Sequence, residues 1–295
     1  MTLKDLIMKH AELFQKFRHT AHEITSDTVF QEGNAELQAT MEAVISPLLE
    51  PDSRVIGSEH LFTLLEKVKA GKRCLILPEH YSNFDYPLIT LLFKRLGEKG
   101  EELSKRLVAM AGIKLSEEND MISMMNTAYD RITVYPGRSL QAITDPEILE
   151  AETKKARAIN IASMRMMEEL RANGRVVVVF PTGTRYRPGK PETKKAIREI
   201  DSYIKTSDYL LLLSINGNCL EVSNGGDMTA DVVKKDTIIL QASEVIDCKK
   251  FREEIAASLQ EGEDKKQKLA DTIMSRLEVM HMQNENAKSL RRKIR

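Results

Sequence analysis

The run Val176-Val177-Val178-Val179-Phe180 constrains this chain more than any other stretch. It is apolar at every position, so neither face of the segment suits water, and its β-branched side chains favour extended backbone. That pattern belongs to a central strand covered by helices on both sides, not to an edge strand with one wet face. Further short apolar runs at Arg73–Leu77, Leu107–Ala111, Ile132–Tyr135, Tyr209–Ile215 and Val232–Leu240 alternate with helical segments. The alternation predicts an α/β fold, with a mixed, largely parallel sheet flanked by helices.

Ahead of these runs the periodicity is helical. Leu3, Leu6, Ile7, Leu13, Phe14, Phe17, Ala21 and Ile24 recur at three and four, which predicts an amphipathic helix over Leu3–Ile24. A second helix is expected near Ala35–Leu49, ended by Glu50-Pro51-Asp52. Residues 1–52 are therefore read as a small helical N-terminal domain and residues 53–295 as the α/β domain. Towards the end, Phe251–Leu259 and Lys265–Met282 read as helices, and Lys288–Arg295 is a basic tail without an acid. The first helix and this tail are candidates for peripheral contact with an anionic membrane, although such a helix also suits core packing and such a tail suits solvent.

Composition narrows the partners. Lys plus Arg equals Asp plus Glu at 44 each, so no global field favours nucleic acid, and an anion site must be local. Cys74, Cys219 and Cys248 are odd in number and lack C-x-x-C spacing, which argues against a disulfide framework or a zinc knuckle. The longest apolar runs fall short of the roughly 18–20 residues that span a bilayer. The N-terminal segment has neither a secretory core nor acid-free transit character, so a cytoplasmic location is the expectation. His10, His19, His22, His60 and His281 show no ligand spacing, so neither a metal site nor a cofactor is expected.

Two segments carry chemistry. Glu79-His80-Tyr81-Ser82-Asn83-Phe84-Asp85 follows the first strand, and Ser82 or Asn83 can cap the helix that begins near Tyr86. Asp85 then lies in a first helical turn, where the helix dipole favours its ionised form. It can accept from one imidazole nitrogen of His80 and leave the other as a base, for which an ordinary histidine pKa of roughly 6.5 is suitable. The competing reading has His80 as a partly buried turn histidine and Asp85 as a helix cap.

Phe180-Pro181-Thr182-Gly183-Thr184-Arg185-Tyr186-Arg187-Pro188 leaves the valine strand through a tight turn. Arg185 and Arg187 suit a dianionic phosphate, and a backbone N–H of the Gly183 turn is a candidate oxyanion donor. Alternatively Arg-x-Arg, with Lys190, Lys194 and Lys195 nearby, is a solvated basic loop. A third strand runs into Pro136-Gly137-Arg138-Ser139, and Arg138 can complete a phosphate cage. Arg131, ahead of that strand, is expected in a structural ion pair. Open α/β sheets bind ligands beyond their carboxyl ends, so both motifs are compatible with one crevice. A base beside an anion site suits acyl transfer onto a phosphorylated alcohol.

At these residues the chain resembles the glycerolipid acyltransferases, whose pattern is H-x-x-x-x-D, then a segment bearing arginine or lysine, then Phe-Pro-Glu-Gly-Thr-Arg. The lack of membrane spans, the helical N-terminal unit and Gly183-Thr184-Arg185-Tyr186-Arg187-Pro188 look like the soluble, chloroplast-type glycerol-3-phosphate 1-O-acyltransferases. Two positions depart from the pattern. Thr182 stands where the wider family has glutamate, and Ser139 stands where the soluble subgroup has a second basic phosphate contact.

The resemblance implies that His80 is the general base, Asp85 its orienting acid, and Arg138, Arg185 and Arg187 the phosphate ligands. Ser82, Ser139, Gly183 and Thr184 are further candidate substrate contacts. The implied substrates are glycerol 3-phosphate and an acyl thioester of acyl carrier protein or coenzyme A. Acylation of lysophosphatidic acid at sn-2, and non-catalytic binding to a lipid surface, are the alternatives. Met121, Met124, Met125, Met164, Met166 and Met167 can line an acyl groove, or pack in the core.

Overall fold

The computed structural model describes residues 1–17, 23–117, 120–223 and 227–294, without side chains at 116–121 and 287–294. His19, His22, the Met121 side chain and the side chains of the basic tail thus lie outside the described residues. In chain order the strands are β1 (Phe30–Gln31), β2 (Arg54–Ile56), β3 (Cys74–Pro78), β4 (Leu107–Gly112), β5 (Arg131–Val134), β6 (Val176–Val178), β7 (Tyr209–Asn216), β8 (Leu220–Glu221), β9 (Val232–Val233), β10 (Ile239–Ala242) and β11 (Ile246–Asp247). The helices are α1 (Leu3–Lys9), α2 (Ala11–Phe14), α3 (Ala35–Ile45), α4 (Ser58–Lys69), α5 (Asp85–Lys94), α6 (Glu98–Arg106), α7 (Lys114–Glu117), α8 (Asp120–Asn126), α9 (Gly137–Gln141), α10 (Pro146–Ala172), α11 (Ile200–Lys205), α12 (Cys248–Ala257) and α13 (Lys265–Ile294).

The main sheet runs β1-β5-β4-β6-β3-β7-β10-β2, with β11 also on β7. Strands β5, β4, β6, β3 and β7 are parallel, while β1, β10 and β11 join antiparallel. The valine strand β6 lies inside this block with Val176, Val177 and Val178 fully buried. Period-two alternation sends Ile76, Val178, Leu211 and Leu213 to a face covered by α3, α4, α5 and α6. Leu75, Leu77, Val177, Leu210 and Leu212 face α10, α11, α12 and α13. The α/β architecture and largely parallel sheet expected from the sequence are therefore present.

Several boundaries differ. Among the described residues the expected Leu3–Ile24 helix stops at Lys9 and resumes for Ala11–Phe14, while Ile24 is buried outside any helix. The apolar stripe skips a turn after Ile7 and the helix breaks at His10; Phe14 rejoins the buried cluster of Leu3, Leu6 and Ile7, while Met8 and Leu13 are exposed. Pro47 turns the end of the second expected helix into a 3₁₀ turn, Ser46–Leu48. The expected Val232–Leu240 strand divides at Lys234-Lys235-Asp236, with Val232–Val233 paired to β8 and β10 starting at Ile239. Residues before Pro51 reach the sheet through the β1–β5 pair and the Leu49–Asp236 bridge, and Leu3, Leu37 and Met41 share a cluster with Ile76. No helix among the described residues is long and apolar enough to cross a membrane.

Candidate active site

Beyond β3 the backbone leaves the ladder, and Asp85 gathers its orphaned donors. Asp85 Oδ2 accepts the N–H groups of Tyr81 at 2.5 Å and Ser82 at 2.9 Å, while Oδ1 accepts the Ser82 hydroxyl at 3.0 Å. The same Oδ2 lies 2.9 Å from His80 Nδ1. Because the ionised carboxylate can only accept, Nδ1 carries the imidazole proton and Nε2 is left with its lone pair. Asp85 opens α5, as expected, but α5 has no side-chain N-cap bond, and Ser82 Oγ instead accepts the Phe84 N–H at 3.1 Å.

The two motifs meet at this histidine. Phe180 stacks on the His80 ring with centroids 4.0 Å apart, and the Tyr186 N–H donates to the His80 carbonyl at 2.8 Å. Between them Gly183 adopts φ +59°, the left-handed region that favours glycine, and its N–H closes a turn to the Phe180 carbonyl at 2.9 Å. That N–H is therefore already engaged and does not serve as the oxyanion donor in this arrangement. The turn points the Thr182 carbonyl at Arg138 Nη2, 2.7 Å away.

A cavity of about 910 Å³ opens at His80. Ser82, Asn83 and Gly183 line it beside the base, and Arg138, Lys195 and Arg198 contribute cations. Its apolar wall draws on both faces of the sheet, with Tyr86, Ile122 and Met125 on one and Val134, Met164 and Tyr203 on the other. Met125 and Met164 thus line the cavity, whereas Met124 and Met167 are buried in the core outside its wall.

The remaining expected residues stand elsewhere. Arg185 is buried in an ion pair with the buried carboxylate of Asp231, which also accepts the Ser223 N–H at 2.8 Å. Arg187 holds its N–H to Thr193 Oγ1 at 2.9 Å and has a buried Nε without a hydrogen-bond partner. Neither arginine borders the cavity, nor do Ser139 and Thr184. Ser139 is buried with its N–H on the Pro136 carbonyl at 2.9 Å, and the Thr184 carbonyl accepts from Thr182 Oγ1 at 2.6 Å. The basic-loop reading suits part of this segment, since Lys194 is paired with Glu278 at 2.8 Å.

A second polar cluster, not legible in the linear sequence, supports the turn from behind. The buried Glu79 accepts the Ile215 N–H at 2.8 Å and the Tyr81 hydroxyl at 2.9 Å, and His281 Nδ1 lies 2.9 Å from its Oε2. Burial and the Glu79 charge push the Tyr81 phenol well above its ordinary pKa, so it remains a donor. In the sequence Lys195 stands only as part of a basic cluster, and nothing singles out Arg198. Cys74, Cys219 and Cys248 are buried and free, and burial pushes the Cys74 thiol up to about 12, far from nucleophilic use. Among the described residues no group of three His, Cys, Asp or Glu side chains is arranged to hold a metal.

Residues 60–204, which contain both motifs, match the Acyltransferase family model. Curated proteins return no match. Among solved structures, the 1-acyl-sn-glycerophosphate (LPA) acyltransferase PlsC from Thermotoga maritima is similar at 18% identity, over 83% of this chain and 78% of that chain, with a TM-score of 0.43.

Proposed function

We propose that the protein transfers a fatty acyl group from an acyl thioester, carried by acyl carrier protein or coenzyme A, to the sn-1 hydroxyl of glycerol 3-phosphate. The observation that carries this reading is the His80–Asp85 pair at 2.9 Å on the wall of a cavity that also holds Arg138. With Nδ1–H held by Asp85, Nε2 takes the hydroxyl proton as the alcohol oxygen attacks the thioester carbonyl. The tetrahedral intermediate then expels the thiolate, which recovers the proton from the imidazolium, and lysophosphatidic acid and free thiol remain. No acyl-enzyme is required, because Ser82 Oγ is committed to Asp85 and Phe84 and Cys74 is buried.

In this reading Arg138 is the phosphate ligand nearest the base, supplemented by Lys195 and Arg198. Arg185, paired with Asp231, and Arg187, outside the cavity wall, are not phosphate ligands in this arrangement. Acylation of lysophosphatidic acid at sn-2 is a second reading, favoured by apolar lining on both faces of the sheet, which suits an acceptor that already bears a chain. A radiolabel assay with both donors and both acceptors, run beside His80→Ala, tests the proposal. Product from glycerol 3-phosphate with the unmodified protein alone supports the first reading, and product only from lysophosphatidic acid replaces it with the second. No product from any pair overturns both.

A further inference from the structure

Arg131 is a buried cation on the cavity wall. It is only 5% exposed, yet among the described residues no carboxylate lies within salt-bridge distance, in place of the ion pair expected from sequence. One donor, Nη1, reaches the Asn126 carbonyl at the end of α8 at 2.5 Å, while the buried Nε has no hydrogen-bond partner. A buried guanidinium that caps a helix with one of five donors is still short of an anion. Burial pushes it down to about 10.

Arg131 borders the same cavity as His80. Sheet register fixes their separation: Arg131 pairs with Ala109, Ala109 with Val178, and Val178 with Ile76, four residues before His80. Three strand spacings amount to about 14 Å across the sheet. A glycerol phosphate with its hydroxyl at His80 is too short to reach Arg131. Small Ala109 stands between the two in the sheet, and apolar Tyr86 and Met125 line the same cavity.

We infer that the far end of the cavity is a binding site for a carboxylate at the end of a long alkyl chain. A chain ending in methyl would strip the remaining water from Arg131 and return nothing. A carboxylate there gains charge-assisted hydrogen bonds, up to a bidentate pair. Two sources share this chemistry. One is an acyl donor carboxylated at the end remote from its thioester; the other is a free fatty acid lying in reverse and blocking the donor. The acyl-transfer reading enters only in placing the reacting carbonyl at His80, and the anion site itself does not depend on it.

Calorimetric binding of dodecanoate and 1-dodecanol tests the site without turnover. Dodecanoate binds the unmodified protein at least about tenfold tighter than the alcohol, and the ratio falls to about one in Arg131→Met. Where that variant does not fold, Ala109→Leu, which narrows the cavity beside the guanidinium, loses the same preference. Equal binding of acid and alcohol to the unmodified protein, or an undiminished preference in the variants, overturns the inference. Turnover then separates the sources: a faster Arg131-dependent reaction of the dodecanedioyl monothioester than of the dodecanoyl thioester assigns the site to the donor. Competitive inhibition by dodecanoate without that preference assigns it to the free acid. Absence of turnover with intact carboxylate preference rejects the acyl-transfer reading and leaves the binding site standing.

Discussion

His281 on α13 is hydrogen-bonded to Glu79, the residue immediately before the candidate base, with 2.9 Å between Nδ1 and Oε2. Glu79 also holds the Ile215 N–H of β7, so strand, helix and turn converge on one buried carboxylate. His80 is thus secured on one side by Asp85 and on the other by a neighbour fastened to the opposite end of the chain. His281 lies beyond the segment that matches the Acyltransferase family model, and the support of the turn therefore extends outside it.

This contact makes stability depend on pH. Burial, the largest single influence, depresses the His281 pKa, but hydrogen bonding to Glu79 and the charges of Glu79 and Glu285 together outweigh it, and the net shift is upward from 6.5. A histidine raised on folding stabilises the native state fully below its unfolded pKa and ceases to do so as pH rises through the folded value. Melting temperature should fall as pH rises from about 6.5 into the weakly alkaline range. His281→Gln should flatten that slope and cost roughly 1.5–3 kcal/mol at pH 6, the worth of a charged hydrogen bond. Denaturant melts of both proteins across this range check it; parallel pH profiles would reject the linkage.

The base can be tested apart from the fold. His80→Ala should lower turnover by about two to four orders of magnitude, as loss of a general base commonly does. Asp85→Asn should lower turnover as well, because an amide can donate to Nδ1 and stabilise the wrong tautomer. Asp85→Ala should also cost about 1–3 kcal/mol of stability by orphaning the Tyr81 and Ser82 N–H groups. Single-turnover rates and melting curves on the same preparations separate these effects, and near-normal turnover of His80→Ala would remove the assignment.

Arg138 and Arg185 should respond in opposite ways. Arg138→Ala should raise the acceptor KM by about ten- to a hundredfold, corresponding to roughly 1.5–3 kcal/mol for a lost charged hydrogen bond. Arg185→Met should instead lower stability by about 3–5 kcal/mol, because it strands the buried Asp231 charge. Asp231→Asn paired with Arg185→Met should recover much of the loss. A large KM effect for Arg185→Met without a change in melting would assign that arginine to the phosphate.

Gly183→Ala should be costly out of proportion to one methyl. The added Cβ would sit 3.2 Å from Arg138 Nη2 at a φ of +59°. Strain of about 1–2 kcal/mol is expected from the left-handed conformation, together with a raised acceptor KM as Arg138 is displaced. Steady-state kinetics with a melting curve measures both, and an unchanged KM would detach Arg138 from acceptor binding.

The legible part of the molecule was the part written in local periodicity. Valine at four consecutive positions announced β6, and the spacing of His80 and Asp85 announced a pair that the turn does bring together. Arg185 was harder to read, because Asp231 stands 46 residues away and nothing local distinguishes an arginine facing a ligand from one facing a buried acid. Glu79 and His281 share no sequence window at all. The apolar spacing over Leu3–Ile24 overstates the N-terminal helix, because it runs across the break at His10. Tertiary contacts at long sequence separation decided each of these outcomes.

The Leu3 N–H donates to the Asp231 carbonyl at 2.8 Å, and Thr2 bridges Val232. During synthesis, α1 therefore leaves the ribosome long before its binding surface exists. It must wait as an isolated seven-residue helix, far below the length at which a helix persists alone in water. Docking of α1 is consequently a late event in folding, while its loss exposes the ribbon around Asp231 and, through Arg185, the loop that cradles His80. Hydrogen exchange should find the first residues and the Arg185 loop opening together, as one unit.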